Sequence, residues 1–400
     1  MYAGGVPEEP DDGAIADGPA AFALYWAYAT GKGVKRDTDR AMACLRVAAS
    51  AGHAPAQTAL AEESYGRSKN EALHWFLAAA AQGHAEGQLG AGRMLFSGRF
   101  IARDEHRGLQ LLAEAAAQGN ADAVREHATA TRQVEAAGRS DDENLTRAIA
   151  EHGLETAAGA IRALALPSTR LAATPWSDET LPVGASKLGG APDLPAGHTW
   201  PQRQDRPLAF VAQIARDGGV LSFFYDDSDQ PWGGPGEEDG WRIEHHAGAD
   251  LVRHPGAATF VSCKLDSFTE LTLPPPRSAL ARSLGDAVHG TYGALYDTFT
   301  RDYRRSPRID GQVHRSGGHP DAIQGDMTRR IEYGWAGKDL DVVDPELEAA
   351  ARGWRLLLQI DSEDRANMCW GDAGRLYLWI REDDLRANRW DTVRLQLQCT

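Results

Sequence analysis

Cysteine is scarce in this chain, four in 400 residues, and Cys44, Cys263, Cys369 and Cys399 lie far apart. No pair has metal-type spacing, so the thiols are expected to stay reduced in a cytoplasm. Long apolar runs are missing too. Without a stretch of about eighteen apolar residues, no membrane span is expected. The opening Met-Tyr-Ala-Gly-Gly-Val-Pro-Glu-Glu-Pro-Asp-Asp is acidic and lacks the apolar centre of a secretion signal. Positive charge is in deficit: 42 Lys and Arg face 57 Asp and Glu, a formal net charge of -15. Coating nucleic acid or anionic lipid rewards a basic face, so neither is expected as a partner.

Motifs that carry chemistry are equally sparse. There is no Gly-x-Ser-x-Gly elbow. Gly189-Gly190, Gly233-Gly234 and Gly317-Gly318 lack the Lys-Ser/Thr ending of a phosphate loop. Ser186 and Lys187 are adjacent, without the turn that would bring a lysine beside a serine nucleophile. His245, His246, His254, His289, His314 and His319 follow the acidic residues Asp226, Asp227, Asp229, Glu237, Glu238 and Asp239. None of them falls into a His-Glu-x-x-His or similar one-face spacing. No catalytic residue, metal site or cofactor is therefore expected.

What the chain does have is repetition. Ala41-Met-Ala-Cys-Leu-Arg-Val-Ala-Ala-Ser-Ala-Gly52 returns as Ala72-Leu-His-Trp-Phe-Leu-Ala-Ala-Ala-Ala-Gln-Gly83 and as Gly108-Leu-Gln-Leu-Leu-Ala-Glu-Ala-Ala-Ala-Gln-Gly119. Small residues at Ala41, Ala72 and Gly108, large ones at Leu45, Phe76 and Leu112, and alanine pairs after them make one helix face. The glycine that follows predicts a left-handed C-cap. Asp37 and Asp104 are placed as N-caps, and Ser68 with Glu71 as a capping box. Such units bury their faces only by stacking, so a solenoid is expected whose product is a binding surface. His53 and His84 read as polar groups of the corners, and Tyr25, Trp26 and Trp75 as wedges between helices.

These residues resemble the Sel-one-like repeat, a relative of the tetratricopeptide helix pair, over roughly Pro19 to Ala128. The resemblance implies an adaptor surface. A fourth copy starts at Ala121 without a recognisable second helix and reads as a terminal cap.

After about residue 135 the composition changes to Pro, Gly, Trp and short apolar runs. Pro207–Ile214 and Gly219–Asp226 predict two strands around an Asp-Gly-Gly turn, and Trp354–Asp361 with Gly374–Ile380 predict two more. Gln213-Ile214 echoes Gln359-Ile360, so a weak internal duplication is inferred. Three sets of residues in this half are similar to the YwqG-like bacterial proteins, a domain of unknown function. The first is Ser186-Lys-Leu-Gly-Gly-Ala-Pro-Asp-Leu-Pro195 with Trp200-Pro201; the second is Phe223-Phe-Tyr-Asp226 with Trp232-Gly233. The third is Gly318-His-Pro320, Gln324-Gly-Asp326 and Gly371-Asp-Ala-Gly374. Family context implies toxin and immunity gene neighbourhoods.

The expected protein is multidomain. Residues 1–18 form a flexible acidic N-terminus, 19–135 an all-α solenoid of helix pairs, and 136–400 an α+β domain with a mostly antiparallel, weakly duplicated sheet. Trp200, Trp232, Trp241 and Trp335 lie beside Gly, Pro or polar residues, where they plug sheet ends or floor a ligand site. Trp200, Asp226, Trp232, Trp241, His314 and Gln324 are the candidate binding residues. The expected function is non-catalytic protein binding by a cytoplasmic immunity-type protein that occludes a secreted polymorphic toxin domain. The alternative is an enzyme or small-ligand binder with its pocket between Trp200, Trp232 and the 314–324 loop.

Overall fold

Glycine closes each repeated helix as the spacing predicts. In the computed structural model, which describes residues 17–98, 101–248, 250–254, 259–302 and 312–399, Gly52, Gly83 and Gly119 have φ of 86°, 79° and 82°. Behind them His53 N–H donates to Ala48 O at 3.1 Å, His84 to Ala79 at 3.2 Å and Asn120 to Ala115 at 3.4 Å. These are Schellman closures, which need the left-handed backbone that glycine adopts freely. The acidic N-terminal residues 1–16 and the loop residues Arg99 and Phe100 lie outside the described residues.

The helices so closed are α1 (Gly18–Thr30), α2 (Thr38–Ser50), α3 (Ala54–Tyr65), α4 (Lys69–Ala80), α5 (Ala85–Ser97), α6 (Glu105–Ala117) and α7 (Ala121–Ala137). They belong to a unit whose described residues end at Gly138. α1 packs on α2, α3 on α4 and α5 on α6, while α7 packs on α6 and, among the described residues, is followed by no further helix of this unit. The buried faces are those predicted: Ala41, Leu45, Ala48 and Ala49; Ala72, Phe76, Ala79 and Ala80; Gly108, Leu112 and Ala115. Neighbouring helices come close because the crossing residues are small. A Cβ built on Gly87 would lie 2.5 Å from that of Ala79.

Caps settle the helix starts. Asp37 accepts from the N–H of Asp39 and Arg40, and Asp104 from Arg107. Ser68 accepts from Glu71, so the structure shows the serine half of the expected box; the complete box is at Ser140 and Glu143. Of the expected corner groups His84 caps the next helix, as Asn120 does in the third copy, whereas His53 makes no side-chain cap and lies with its ring 5.2 Å from that of Phe22. Glutamines then tie two of the pairs together, Gln82 donating to Gln57 at 2.8 Å and Gln118 to Gln88 at 2.7 Å. Tyr25 is buried and Trp75 joins two core clusters, but Trp26 is half exposed and is not a wedge. The odd helices also touch one another, α3 on α5 and α5 on α7.

The second unit runs from Arg139 and contains α8 (Asp141–Glu151) and α9 (Ala158–Leu164) before its strands. Its first half holds β1 (Leu166–Pro175), β2 (Lys187–Leu188), β3 (Asp193–Pro195), β4 (Gln202–Arg203), β5 (Arg206–Pro207), β6 (Ala209–Arg216), β7 (Gly219–Tyr225), β8 (Trp241–Ala247) and β9 (Leu251–Arg253). The second holds β10 (Cys263–Thr272), β11 (His314–Ser316), β12 (Trp354–Asp361), β13 (Arg375–Arg381) and β14 (Arg394–Gln398). Ten of these strands form one sheet in the order β14-β13-β12-β11-β1-β10-β2-β6-β7-β8. Each adjacent pair is antiparallel. The β6–β7 hairpin turns on Asp217 and Gly218, both at positive φ as a type I′ turn requires.

The sheet curls until its edges approach. Trp241 at the start of β8 donates to Val393 O at 3.2 Å, and Leu397 N–H in β14 donates to Trp232 O at 3.1 Å. The inner face, with Leu171, Val211, Phe223, Ile243, Leu376 and Leu395, is the core.

The duplication is real. β1-β2-β6-β7-β8 and β10-β11-β12-β13-β14 repeat one plan, and each half lays its long first strand beside the other half's short second one. Both halves carry a register shift at the same place, between Phe210 and Ala212 in β6 and between Leu356 and Leu358 in β12. Gly189 N–H reaches Val211 O at 2.9 Å and Gly317 N–H reaches Leu357 O at 3.4 Å. An irregularity repeated this faithfully belongs to the fold rather than to one strand.

Candidate functional site

The twin corners after β2 and β11 bring buried charged residues together, Lys187 and Asp193 at one and Arg315 at the other. Lys187-Leu-Gly-Gly-Ala-Pro-Asp193 and Arg315-Ser-Gly-Gly-His-Pro-Asp321 share one pattern. Each cation bonds the carbonyl of the residue before its proline, Lys187 that of Ala191 and Arg315 that of His319. The matching glutamines bond the aspartate N–H, Gln213 at 2.8 Å from Asp193 and Gln359 at 3.0 Å from Asp321. Arg253 adds a fork to Asp193, with contacts of 2.8 and 3.1 Å. Burial would raise the Asp193 carboxyl, but Arg253, Gln213 and Gly184 outweigh it and hold its pKa below the ordinary range. Each charged side chain of the two corners bonds its neighbours, so these corners are structural.

The predicted site residues separate into two groups. Trp241 is interior, with its Nε1–H on Val393 O. Trp200 covers Leu194, Leu208, Phe210 and Phe224 and donates to Leu208 O at 2.8 Å. His314 is buried, accepting Asp361 N–H at 3.1 Å and meeting Glu363 Oε2 at 3.3 Å. Bonds from His314 and Arg365 hold the Glu363 carboxyl at about 2 against the upward pull of burial. Gln324 donates to Cys399 O at 2.6 Å and so clips the chain end.

Asp226 and Trp232 share the loop between β7 and β8. Asp226 is buried; it pairs with Arg203 at 3.0 Å and Arg206 at 3.3 Å, and its other oxygen accepts from Ser228 and Asp229 N–H. Burial opposes its charge, but those partners hold it below the ordinary carboxylate range. Trp232 is 50% exposed, the one candidate ring offered to solvent.

A cavity of about 70 Å³ is lined by Leu166, Pro274, His319, Met327, Trp354 and Trp379 among others. Neither Trp200 nor Trp232 lines it. Burial pushes the His319 imidazole at its wall down to about 4.

The histidines divide more sharply. His245, His254, His289 and His319 each place Nε2 on a backbone carbonyl, of Arg216, Pro195, Pro276 and Leu164. His246 does not. It meets Glu244 and a residue the sequence did not single out, His198. His198 Nε2 lies 2.6 Å and His246 Nε2 3.4 Å from Glu244 Oε2, and the three ligand atoms fall within 4.8 Å of one another. Burial raises and the two imidazoles lower the Glu244 carboxyl, with a net shift below its usual value. The legible part was Glu244-x-His246, two ligand types on one strand face; His198 arrives on a loop that no spacing foretells.

The sequence pattern of the family described as "Domain of unknown function (DUF1963)" matches residues 186–399, more than half of the chain. The chain belongs to this family. The match covers the YwqG-like region, and the Sel1 repeat matches residues 19–53, 54–84 and 85–120, one helix pair each. An uncharacterised protein of Neisseria meningitidis serogroup B is 36% identical over 98 residues, which is 24% of this chain. The chain spans about a fifth of that curated relative, 21% of its length. A Sel1 repeat protein from Oxalobacter formigenes is similar at 30% identity, covering 28% of this chain and 86% of that one, with a TM-score of 0.27. A protective antigen of uropathogenic Escherichia coli is similar at 32% identity, over 26% of this chain and 24% of its own, with a TM-score of 0.25.

Proposed function

We propose that the chain is a non-catalytic protein-binding protein of the immunity type, which neutralises a bacterial toxin by covering it. The stack of three Sel1 helix pairs carries this reading. Helix pairs of this kind present an extended curved face, and their polar groups are spent on caps and glutamine clamps rather than on a reacting centre. The net charge of -15 suits a basic partner, for which opposite charge speeds encounter. On the family domain the reading points to the loop between β7 and β8, where Trp232 and Asp229 are about half exposed and Asp229 pairs with the equally exposed Arg206.

The small-ligand alternative is favoured by the cavity beside His319. Its 70 Å³ holds about two waters, whereas ligand pockets run from about 300 Å³ upward. Surface binding is the stronger reading.

The test is co-expression with each secreted protein encoded beside this gene, read by growth rescue and by size-exclusion chromatography with light scattering. A stoichiometric complex is expected. Its affinity should fall as salt rises past about 0.1 M, where the screening length is about 10 Å. Failure of every neighbour to bind, together with turnover of a small substrate, refutes the proposal.

A further inference from the structure

We propose that His198, Glu244 and His246 form a divalent-cation site of the zinc type, with three protein ligands and one coordination position left open. The inference is independent of the binding role.

The local structure brings the three together for identifiable reasons. Glu244 and His246 are two apart on β8, so both side chains leave the same sheet face. That face is the outer one, where the neighbouring β7 residues are Val220, Ser222 and Phe224. The chain after β3 turns tightly, with His198 N–H on Pro195 O at 3.1 Å and Gly197 at φ 78°. This turn lays the His198 ring parallel to Phe224, 6.5 Å between centroids and 10° between planes. An apolar wall thus fixes the imidazole that faces the carboxylate.

Hydrogen bonding among the three is incomplete. His198 Nδ1, His246 Nε2 and the Ser222 hydroxyl are buried without a hydrogen-bond partner. Of these, the His246 nitrogen is the one placed against Glu244, 3.4 Å from Oε2 but without a hydrogen bond, and a buried unpaired polar atom forfeits about 1–3 kcal/mol. A cation between His198 Nε2, His246 Nε2 and Glu244 would give the His246 nitrogen its missing partner and leave His198 Nδ1 as the protonated nitrogen of its ring.

Ligand chemistry and spacing select the ion. Two imidazoles and one carboxylate suit zinc or a first-row neighbour; calcium and magnesium favour all-oxygen shells. Zinc bonds of about 2.0–2.2 Å set tetrahedral ligand atoms about 3.3 Å apart. The His246–Glu244 separation of 3.4 Å already matches, and the His198–Glu244 contact of 2.6 Å must open by less than about 1 Å. Side-chain exposures of 11%, 23% and 15% leave a path for the ion and for an outside donor at the open position.

The full chain, stripped with chelator and titrated with zinc chloride in a calorimeter, should bind one ion and melt at a higher temperature. His198→Ala and His246→Ala should each weaken binding more than about 100-fold, because losing even an outer-shell partner costs 10–100-fold. Glu244→Gln, which keeps the shape if the histidine variants fail to fold, should weaken it similarly. His245→Ala, on the other face of the same strand, should bind as the parent does. No stoichiometric binding, or equal binding by parent and Glu244→Gln, overturns the proposal. So does a loss in His245→Ala as large as that in His246→Ala.

Discussion

Ala79→Glu tests the register on which the solenoid stands. Ala79 has no exposed surface, and the crossing with α5 leaves no room for a side chain longer than its own methyl. The four heavy atoms that glutamate adds beyond the methyl overpack the crossing at about 1–3 kcal/mol. A lone carboxylate there adds about 3–5 kcal/mol, the usual cost of a buried charge without a partner. The sum, at least about 4 kcal/mol, is a large share of the 5–15 kcal/mol that holds a domain folded. Ala78→Glu one residue earlier is only half-buried and should stay within about 0.5 kcal/mol of the parent. Urea titrations followed by far-UV circular dichroism separate the two. Equal midpoints for Ala78→Glu and Ala79→Glu would show that the buried face is not the one described.

Acid should weaken the second unit in two stages. His319 is pushed from 6.5 down to about 4 by burial, so the unfolded chain takes up that proton first and stability drains as pH falls from 6.5 to 4. Glu363, held at about 2 instead of 4.5, continues the loss from pH 4.5 towards 2. Urea midpoints should show a shallower slope between pH 6.5 and 4 in His319→Gln; an unchanged slope counts against this account. Asp193→Ala strands Arg253 and Gln213 and should cost about 3–5 kcal/mol by chemical denaturation, with a loss below about 1 kcal/mol excluding a structural role for the corner. Deleting residues 1–138 should leave the family domain's melting temperature in place while weakening the partner complex; unfolding of the remainder would show that the units depend on one another.

The helical half was legible because its signals are local. A cap, a face and a glycine C-cap lie within about four helical turns, and each fixes backbone geometry without reference to distant residues. The hairpins β6–β7 and β12–β13 were legible for the same reason. Sheet order was not. β2 and β11 are two and three residues long, too short to show a period, and each pairs with the other half's first strand. The twin Lys/Arg-x-Gly-Gly-x-Pro-Asp pattern is nonetheless visible in the sequence and marks both corners. Of the candidate site, Trp232 was readable as a loop aromatic, but burial of Trp241 and His314 depends on edges and inserts that meet only in the folded sheet.

Comparing the two halves separates structure from candidate function. Where they agree, at the corners, the aspartates, glutamines and cations bond one another and the local backbone, with Arg315 Nε left over. Where they differ, one difference has a structural explanation: His314 and Arg365 bind Glu363 and so fasten the insert between β12 and β13. In the first half Ser186 stands in the place of His314 and simply accepts Ala215 N–H at 2.9 Å. The His198 cluster has no comparable task, since its charged groups bond one another and leave buried atoms unpaired. If a ligand justifies that cost, an apolar replacement should help the metal-free protein. His246→Val faces Val220 across the strand pair and removes the unpaired nitrogen. It should stabilise the chelator-treated chain by about 0.5–2 kcal/mol and abolish the zinc-dependent rise in melting temperature. Destabilisation of the metal-free chain by His246→Val would instead make the histidine a structural residue, and the open site would lose its energetic rationale.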